Sequence, residues 1–299
     1  MPRPGALDLS KPPFRVPQGK DAASVAEDFI ACFKVVSALR NKVSACVQAS
    51  LDTAGLDPRD PLCVACQRIA RDLDAGVGAG GANPYHNAQH FCEVMLSALY
   101  LSLLAGVAAR EKAELLAAAL VHDFHHDGST NANVPFRLER LSAQAASPYF
   151  EAAGVPTDAQ ARIRAMVFST EVSVGARFAR ECHLHFAASG SRPSVSGIPA
   201  PLAILADDAR LALQAVIIGE ADVLSSAGLT VQYGELQQEK LAEEWRKPLG
   251  ADHKVKFLNQ VFQDFTVGHF FSPNLRALKN AAQERAEREH GVGRPARGP

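Results

Sequence analysis

Apolar residues in this chain recur at intervals of three and four almost from end to end. Nowhere do they settle into the two-residue alternation of a half-buried strand. Val25, Phe29, Cys32, Phe33, Val36 and Leu39 set that rhythm over residues 21–50. It returns over 60–75, 87–105, 108–126, 135–146, 158–169, 174–188, 206–225, 233–245, 255–265 and 274–288. Asp127-Gly128, a dipeptide that can close a hairpin, has no alternating runs on either side. The pattern therefore predicts an all-α fold, a compact multi-helix bundle, and disfavours the strand-dependent dinucleotide and P-loop folds. The glycine-rich stretch from Gly76 to Pro84 does not change this, because no strand precedes it and no Gly-Lys-Ser/Thr follows.

Punctuation divides the chain simply. Prolines at 2, 4, 12, 13 and 17 make residues 1–20 a disordered arm. Residues 21–288 read as one helical domain, interrupted by a Ser/Gly/Pro-rich surface loop over 189–201. Residues 289–299 form a flexible Gly/Pro/Arg-rich tail. With 47% apolar and 21% charged residues in 299, the chain has the composition of a globular protein with a sizeable core. Its 31 Lys+Arg against 32 Asp+Glu argue against a partner held by bulk charge, nucleic acid above all. The N-terminus lacks the apolar stretch of a secretory signal, and no apolar run reaches the ~20 residues of a membrane-spanning helix. The expectation is a cytoplasmic protein, with no membrane partner and with thiols reduced. Cys63 and Cys66 form a lone C-x-x-C on an apolar helix, which reads as packing rather than as a zinc site.

Ten histidines are spread along the chain, and five of them fall in two short segments. One is Asn83-Pro-Tyr85-His86-Asn87-Ala-Gln-His90-Phe-Cys-Glu93. The other is His122-Asp123-Phe-His125-His126-Asp127-Gly128. Each segment carries two histidines four apart, which share a helix face, and Asn87 is placed to cap the first helix. Any one histidine alone reads as a structural residue. An adjacent His-Asp pair at the end of an apolar helix is costly to bury without a compensating charge, and imidazole with carboxylate is a ligand set for a divalent metal.

These two segments, in this order, resemble the signatures of the class I cyclic-nucleotide phosphodiesterases. The second resembles the wider HD-domain phosphohydrolase superfamily as well. Downstream, Thr170-Glu171, Glu220-Ala-Asp222-Val-Leu-Ser225 and Asn259-x-x-Phe262-x-Asp264-Phe265 are similar to further segments of that family. The sequence departs from the family pattern at Glu93, His125, Asp127, Val174 and Asn259. The resemblance implies a metal site in a central pocket, with His90, His122, Asp123 and Asp222 as ligands. It implies two divalent ions (Zn, Mg, Mn or Fe), with Asp123 bridging them and a water between them as nucleophile. His86 would be the general acid. His126, Asn131, Glu139 and Glu171 would stand behind the site, one of the two glutamates orienting His86 or a water. Tyr85, Asn259 and Phe262 would bind substrate, with the register open between Asn259 and Gln260. The implied activity is hydrolysis of a 3′,5′-cyclic nucleotide, cAMP or cGMP, to the 5′-monophosphate. The departure at Asn259 keeps open an HD-superfamily phosphohydrolase acting on another nucleotide or phosphoester, and a non-catalytic nucleotide-sensing module is the third reading. The sequence leaves homodimerisation open.

Overall fold

The computed structural model describes residues 21–78, 83–132, 134–188, 190–265 and 272–291. The expected arm over 1–20, part of the glycine-rich stretch and the last eight residues of the tail lie outside them. Thirteen α-helices run in order: α1 (Ala22–Ser37), α2 (Lys42–Thr53), α3 (Pro61–Asp74), α4 (Ala88–Leu104), α5 (Ala109–Val121), α6 (Arg137–Ala153), α7 (Thr157–Phe168), α8 (Gly175–Ala188), α9 (Ala200–Ala203), α10 (Ala209–Ala227), α11 (Val231–Glu244), α12 (Ala251–Gln260) and α13 (Ser272–Gly291). No strand occurs among the described residues.

Two helices organise the rest. Every residue of α4 from His90 to Ser102 is buried, and α10 is buried nearly as completely. A helix apolar on all sides must be covered on all sides. The two pack on each other, with α2, α5 and α8 laid around them. α5 joins this interior through an unbroken buried run from Ala113 to Val121. Phe29, Phe33, Phe91 and Phe124 are among the largest fully buried side chains. Any one of them cut to alanine is expected to cost ~3–5 kcal/mol.

Some boundaries differ from the sequence expectation. The rhythm over 21–50 runs through a break at residues 38–41, between the end of α1 and the start of α2. Ser37 Oγ donates to the Lys34 carbonyl, and the first N–H groups of α2, at Val43 and Ser44, donate to the distant Asp74 carboxylate at 3.0 and 2.9 Å. The cap of α2 is thus supplied by α3 and is invisible locally. α6 runs past the expected stop at 146, carrying Pro148 within it, because Phe150 is buried and Tyr149 donates to Asp72. It ends at Gly154, whose φ of +77° suits a left-handed terminus. α12 ends at Gln260, and one π-helical turn, Val261–Phe265, completes the segment expected as plain helix.

All six cysteines are free and buried. Burial pushes the Cys63 thiol up to about 11 and Cys66 higher still, in keeping with packing as their role. No single helix among the described residues is long and apolar enough to cross a membrane.

Candidate active site

The start of α4, the end of α5 and the middle of α10 meet at one place. Asn87 caps α4: its Oδ1 accepts from Gln89 N–H at 2.9 Å and His90 N–H at 3.4 Å, while its Nδ2 donates to the Asn83 and Pro84 carbonyls. One side chain thereby fixes both the turn that carries His86 and the first turn that carries His90. α5 stops at Val121, so His122 and Asp123 emerge directly from its unbroken buried run. Asp222 comes from the middle of α10.

The first motif and the second are brought into contact. His90 Nε2 lies 3.3 Å from His122 Nε2, 3.5 Å from Asp123 Oδ2 and 3.3 Å from Asp222 Oδ1. His122 Nε2 lies 3.1 Å from Asp123 Oδ2 and 3.4 Å from Asp222 Oδ1. Four ligand-type atoms, from His90, His122, Asp123 and Asp222, fall within 4.8 Å of one another. His122 Nδ1 sits 2.9 Å from the Ala119 carbonyl, which only accepts, so Nδ1 carries a proton and the neutral ring presents the Nε2 lone pair inward. Two facing imidazole nitrogens and two carboxylate oxygens then converge with too few protons among them. His90 Nδ1 is buried with no partner. This donor set fits a divalent cation, which satisfies all four atoms at once.

The electrostatics agree. Burial opposes a charge on His90, but hydrogen bonds to Asp123 and Asp222 outweigh it and lift the ring to about 9. Against the same burial, the two aspartates raise His122, and the imidazoles hold Asp123 well below the carboxylate range and Asp222 at about 2. Protons and a dication therefore compete for these atoms, and acid favours release of the ion.

His86 stands beside this cluster, with Nε2 3.8 Å from Asp123 Oδ2. Its Nδ1 is 2.5 Å from Glu244 Oε1, at the last residue of α11. The other oxygen of Glu244 accepts the backbone N–H groups of Tyr85 and His86 at 2.8 and 2.9 Å. Burial works against ionisation of Glu244, but these bonds hold it below its ordinary value. The sequence leaves Glu139 or Glu171 to orient His86 or a water; the contact to His86 Nδ1 is made by Glu244. Glu171 instead binds the N–H groups of Ser173, Val174 and Gly175 as a turn cap. Nothing local marks Glu244, which lies 158 positions from His86.

The remaining expected residues are placed as follows. His126 is buried and stacked on His86, ring centroids 3.7 Å apart, and burial pulls it down to about 4. Asn131 donates to Glu139 at 3.0 Å and accepts the Leu138 N–H. Tyr85 is half-buried, its ring against those of His86 and His90 and its hydroxyl 2.9 Å from Ser226 Oγ. Glu93 accepts the Tyr233 hydroxyl at 2.6 Å and a Gln237 amide N–H. Asp127 pairs with Arg137 at 2.7 Å. Asn259 is half-buried at the end of α12, and Phe262 is 43% exposed on the π-helical turn. Gln260 donates to the Val172 carbonyl at 2.5 Å, which ties this segment to the turn after α7 and commits the amide N–H. Gly78, at φ +68°, lies so close to the second motif that a Cβ there would stand 2.1 Å from the Phe124 carbonyl oxygen.

Glu139 yields a pH prediction. Burial raises its carboxyl to about 7 from 4.5, with Asp123 and Glu171 adding to the rise and Asn131 opposing it. A folded value above the unfolded one favours folding fully below pH 4.5, and that contribution is lost as pH rises through 7. The gap corresponds to roughly 3 kcal/mol. In chelator, Glu139→Gln should therefore melt several degrees above wild type at pH 8 and level with it at pH 4.5. Equal melting temperatures at pH 8 would show that Glu139 ionises freely.

No protein-family model matches the sequence, and no curated protein matches it. Solved structures do. The phosphodiesterase domain of the RhoPDE fusion protein from the choanoflagellate Salpingoeca rosetta superposes with a TM-score of 0.57 at 17% identity, covering 95% of this chain and 98% of that one. A second structure of the Salpingoeca rosetta rhodopsin phosphodiesterase domain gives 0.59 at 17%, with 95% of each chain covered. The fold is that of a phosphodiesterase catalytic domain. LmjPDEB1 in complex with IBMX gives 0.57 at 16%, covering 96% of this chain and 95% of that one. The resemblance carried by the two histidine motifs is thus matched by an all-helical fold shared over nearly the whole length.

Proposed function

We propose that the chain is a metal-dependent phosphodiesterase that opens a 3′,5′-cyclic nucleotide to the 5′-monophosphate. The observation that carries this is the pairing of two centres: a four-residue ligand set, and beside it an imidazole held from behind by a carboxylate. Bound divalent ions supply charge neutralisation at the phosphoryl group and an acidified water as nucleophile. The chain supplies the rest. His90, His122, Asp123 and Asp222 hold the ions. His86, its Nδ1 bonded to Glu244, offers a proton at Nε2 to the departing ribose oxygen, and the carboxylate steadies the imidazolium before transfer. Glu244 also clamps the backbone of residues 85 and 86, so the ring cannot swing away from the cluster. Phe262 offers an exposed aromatic face for a base and Asn259 an amide for its edge.

The purified chain should be assayed with magnesium, manganese or zinc against cAMP, cGMP, cyclic dinucleotides and nucleoside monophosphates. The expected product is a 5′-monophosphate from cAMP or cGMP, formed only with a divalent ion and stopped by chelator. Phosphate release from monophosphates, with cyclic nucleotides untouched, would replace this reading with a phosphohydrolase acting on another phosphoester, as the Asn259 departure allows.

A further inference from the structure

A second group of ligand-type atoms lies next to the first. His86, His126 and Glu244 each place one nitrogen or oxygen within 4.8 Å of the others. His86 Nδ1 is 2.5 Å and His126 Nδ1 3.9 Å from the same oxygen, Glu244 Oε1. The side chains of Glu244 and His126 are 2% and 5% exposed, and that of His86 is 14% exposed. Among the described residues no lysine or arginine pairs with Glu244; the groups that face its carboxylate are two imidazoles and two backbone N–H groups.

We propose that His86, His126 and Glu244 form an inhibitory site for a transition-metal dication of the zinc or cobalt type, distinct from the four-residue ligand set. Two imidazoles and a carboxylate are a three-residue set that suits these ions far better than magnesium, which prefers oxygen and water. The ion takes the place of the proton between His86 Nδ1 and Glu244. It must part that 2.5 Å contact and turn the His126 ring away from the Gly128 N–H, which His126 Nδ1 accepts at 3.1 Å. These costs, with repulsion from ions already held at Asp123, make the site weaker than its neighbour. It fills only when the metal is in excess. Once the site is filled, the ion replaces the Nδ1 proton and leaves His86 a metal-bound neutral imidazole, whose Nε2–H is a far weaker acid than that of an imidazolium, so proton donation to the leaving oxygen is suppressed; this inhibitory arm rests on the function proposed above, whereas the binding arm does not.

The full chain is dialysed against stepped concentrations of free cobalt(II), and bound cobalt per chain is counted alongside the visible absorption band. Wild type should bind one ion more than either Glu244→Gln or His126→Gln, both of which keep the ions of the four-residue set. Equal counts in all three proteins overturn the site. Hydrolysis is then followed at fixed magnesium with rising zinc. Wild type should lose activity over the range in which the extra ion binds. His126→Gln, normalised to its own rate in magnesium, should need at least ~10-fold more zinc, the scale of a lost metal partner. Full wild-type activity with the extra ion bound overturns the inhibitory role. A chain that hydrolyses no cyclic nucleotide under any condition defeats the functional reading and leaves the ion count standing.

Discussion

Asp123→Ala should empty the metal site and abolish hydrolysis together. Asp123 Oδ2 lies 3.1 Å from His122 Nε2, 3.5 Å from His90 Nε2 and 3.8 Å from His86 Nε2, so one oxygen faces all three imidazoles. Its removal leaves Asp222 as the only carboxylate of the four-residue set, and the imidazoles lose much of what holds them in register. Loss of an outer metal partner already weakens affinity ~10–100-fold, and loss of a shared ligand should exceed that. Metal polarisation of a phosphoryl group is worth several kcal/mol, so the rate should fall by more than ~10³-fold. The measurement is bound metal per chain after dialysis, beside the rate on cyclic nucleotide. Asp123→Asn, nearly the same size, controls for folding and should behave alike. A variant that keeps its metal and its rate would show that the chemistry lies elsewhere.

Part of the cluster was open to sequence reading, because His90, His122 and Asp123 sit where local rules put them; Asp222, inside α10, entered only through the family resemblance. Asn87 caps a helix whose first turn carries His90, and His122-Asp123 closes the apolar run that becomes α5. Helix spacing and burial cost act within a few residues, and those are the distances a sequence shows directly. What escaped was tertiary. Asp74 caps α2 from thirty positions away and breaks a helical rhythm that looked continuous. Pro148 would ordinarily stop a helix, yet buried Phe150 and the Tyr149–Asp72 bond carry α6 past it. Glu244 is the sharpest case. It looks like one of many glutamates on a half-exposed helix, and only the folded chain sets it behind His86. A residue whose role is to face another element carries no mark in its own neighbourhood.

His86→Ala should keep the metal and lose the rate. The ring contributes to the four-residue ligand set only at 3.8 Å, through Asp123, so the metal held by that set should stay at the wild-type level. Removing a positioned proton donor typically slows turnover ~10²–10⁴-fold. The size of the loss should follow the leaving group. A ribose oxygen is a poor leaving group and needs the proton, whereas a nitrophenolate departs without one. On a nitrophenyl phosphodiester the variant should therefore recover most of the lost rate. Glu244→Gln tests the same proton from behind. Glutamine retains an oxygen for the Tyr85 and His86 N–H groups but loses the charge that steadies the imidazolium, so a loss of ~10–100-fold is expected, again with the metal of the four-residue set retained. Both variants should show the same dependence on the leaving group, because both act on one proton. If His86→Ala loses as much on the nitrophenyl ester as on the cyclic nucleotide, His86 positions substrate or metal and donates nothing. If Glu244→Gln loses rate equally on both esters while His86→Ala does not, the carboxylate holds the turn at residues 85 and 86 without assisting the transfer.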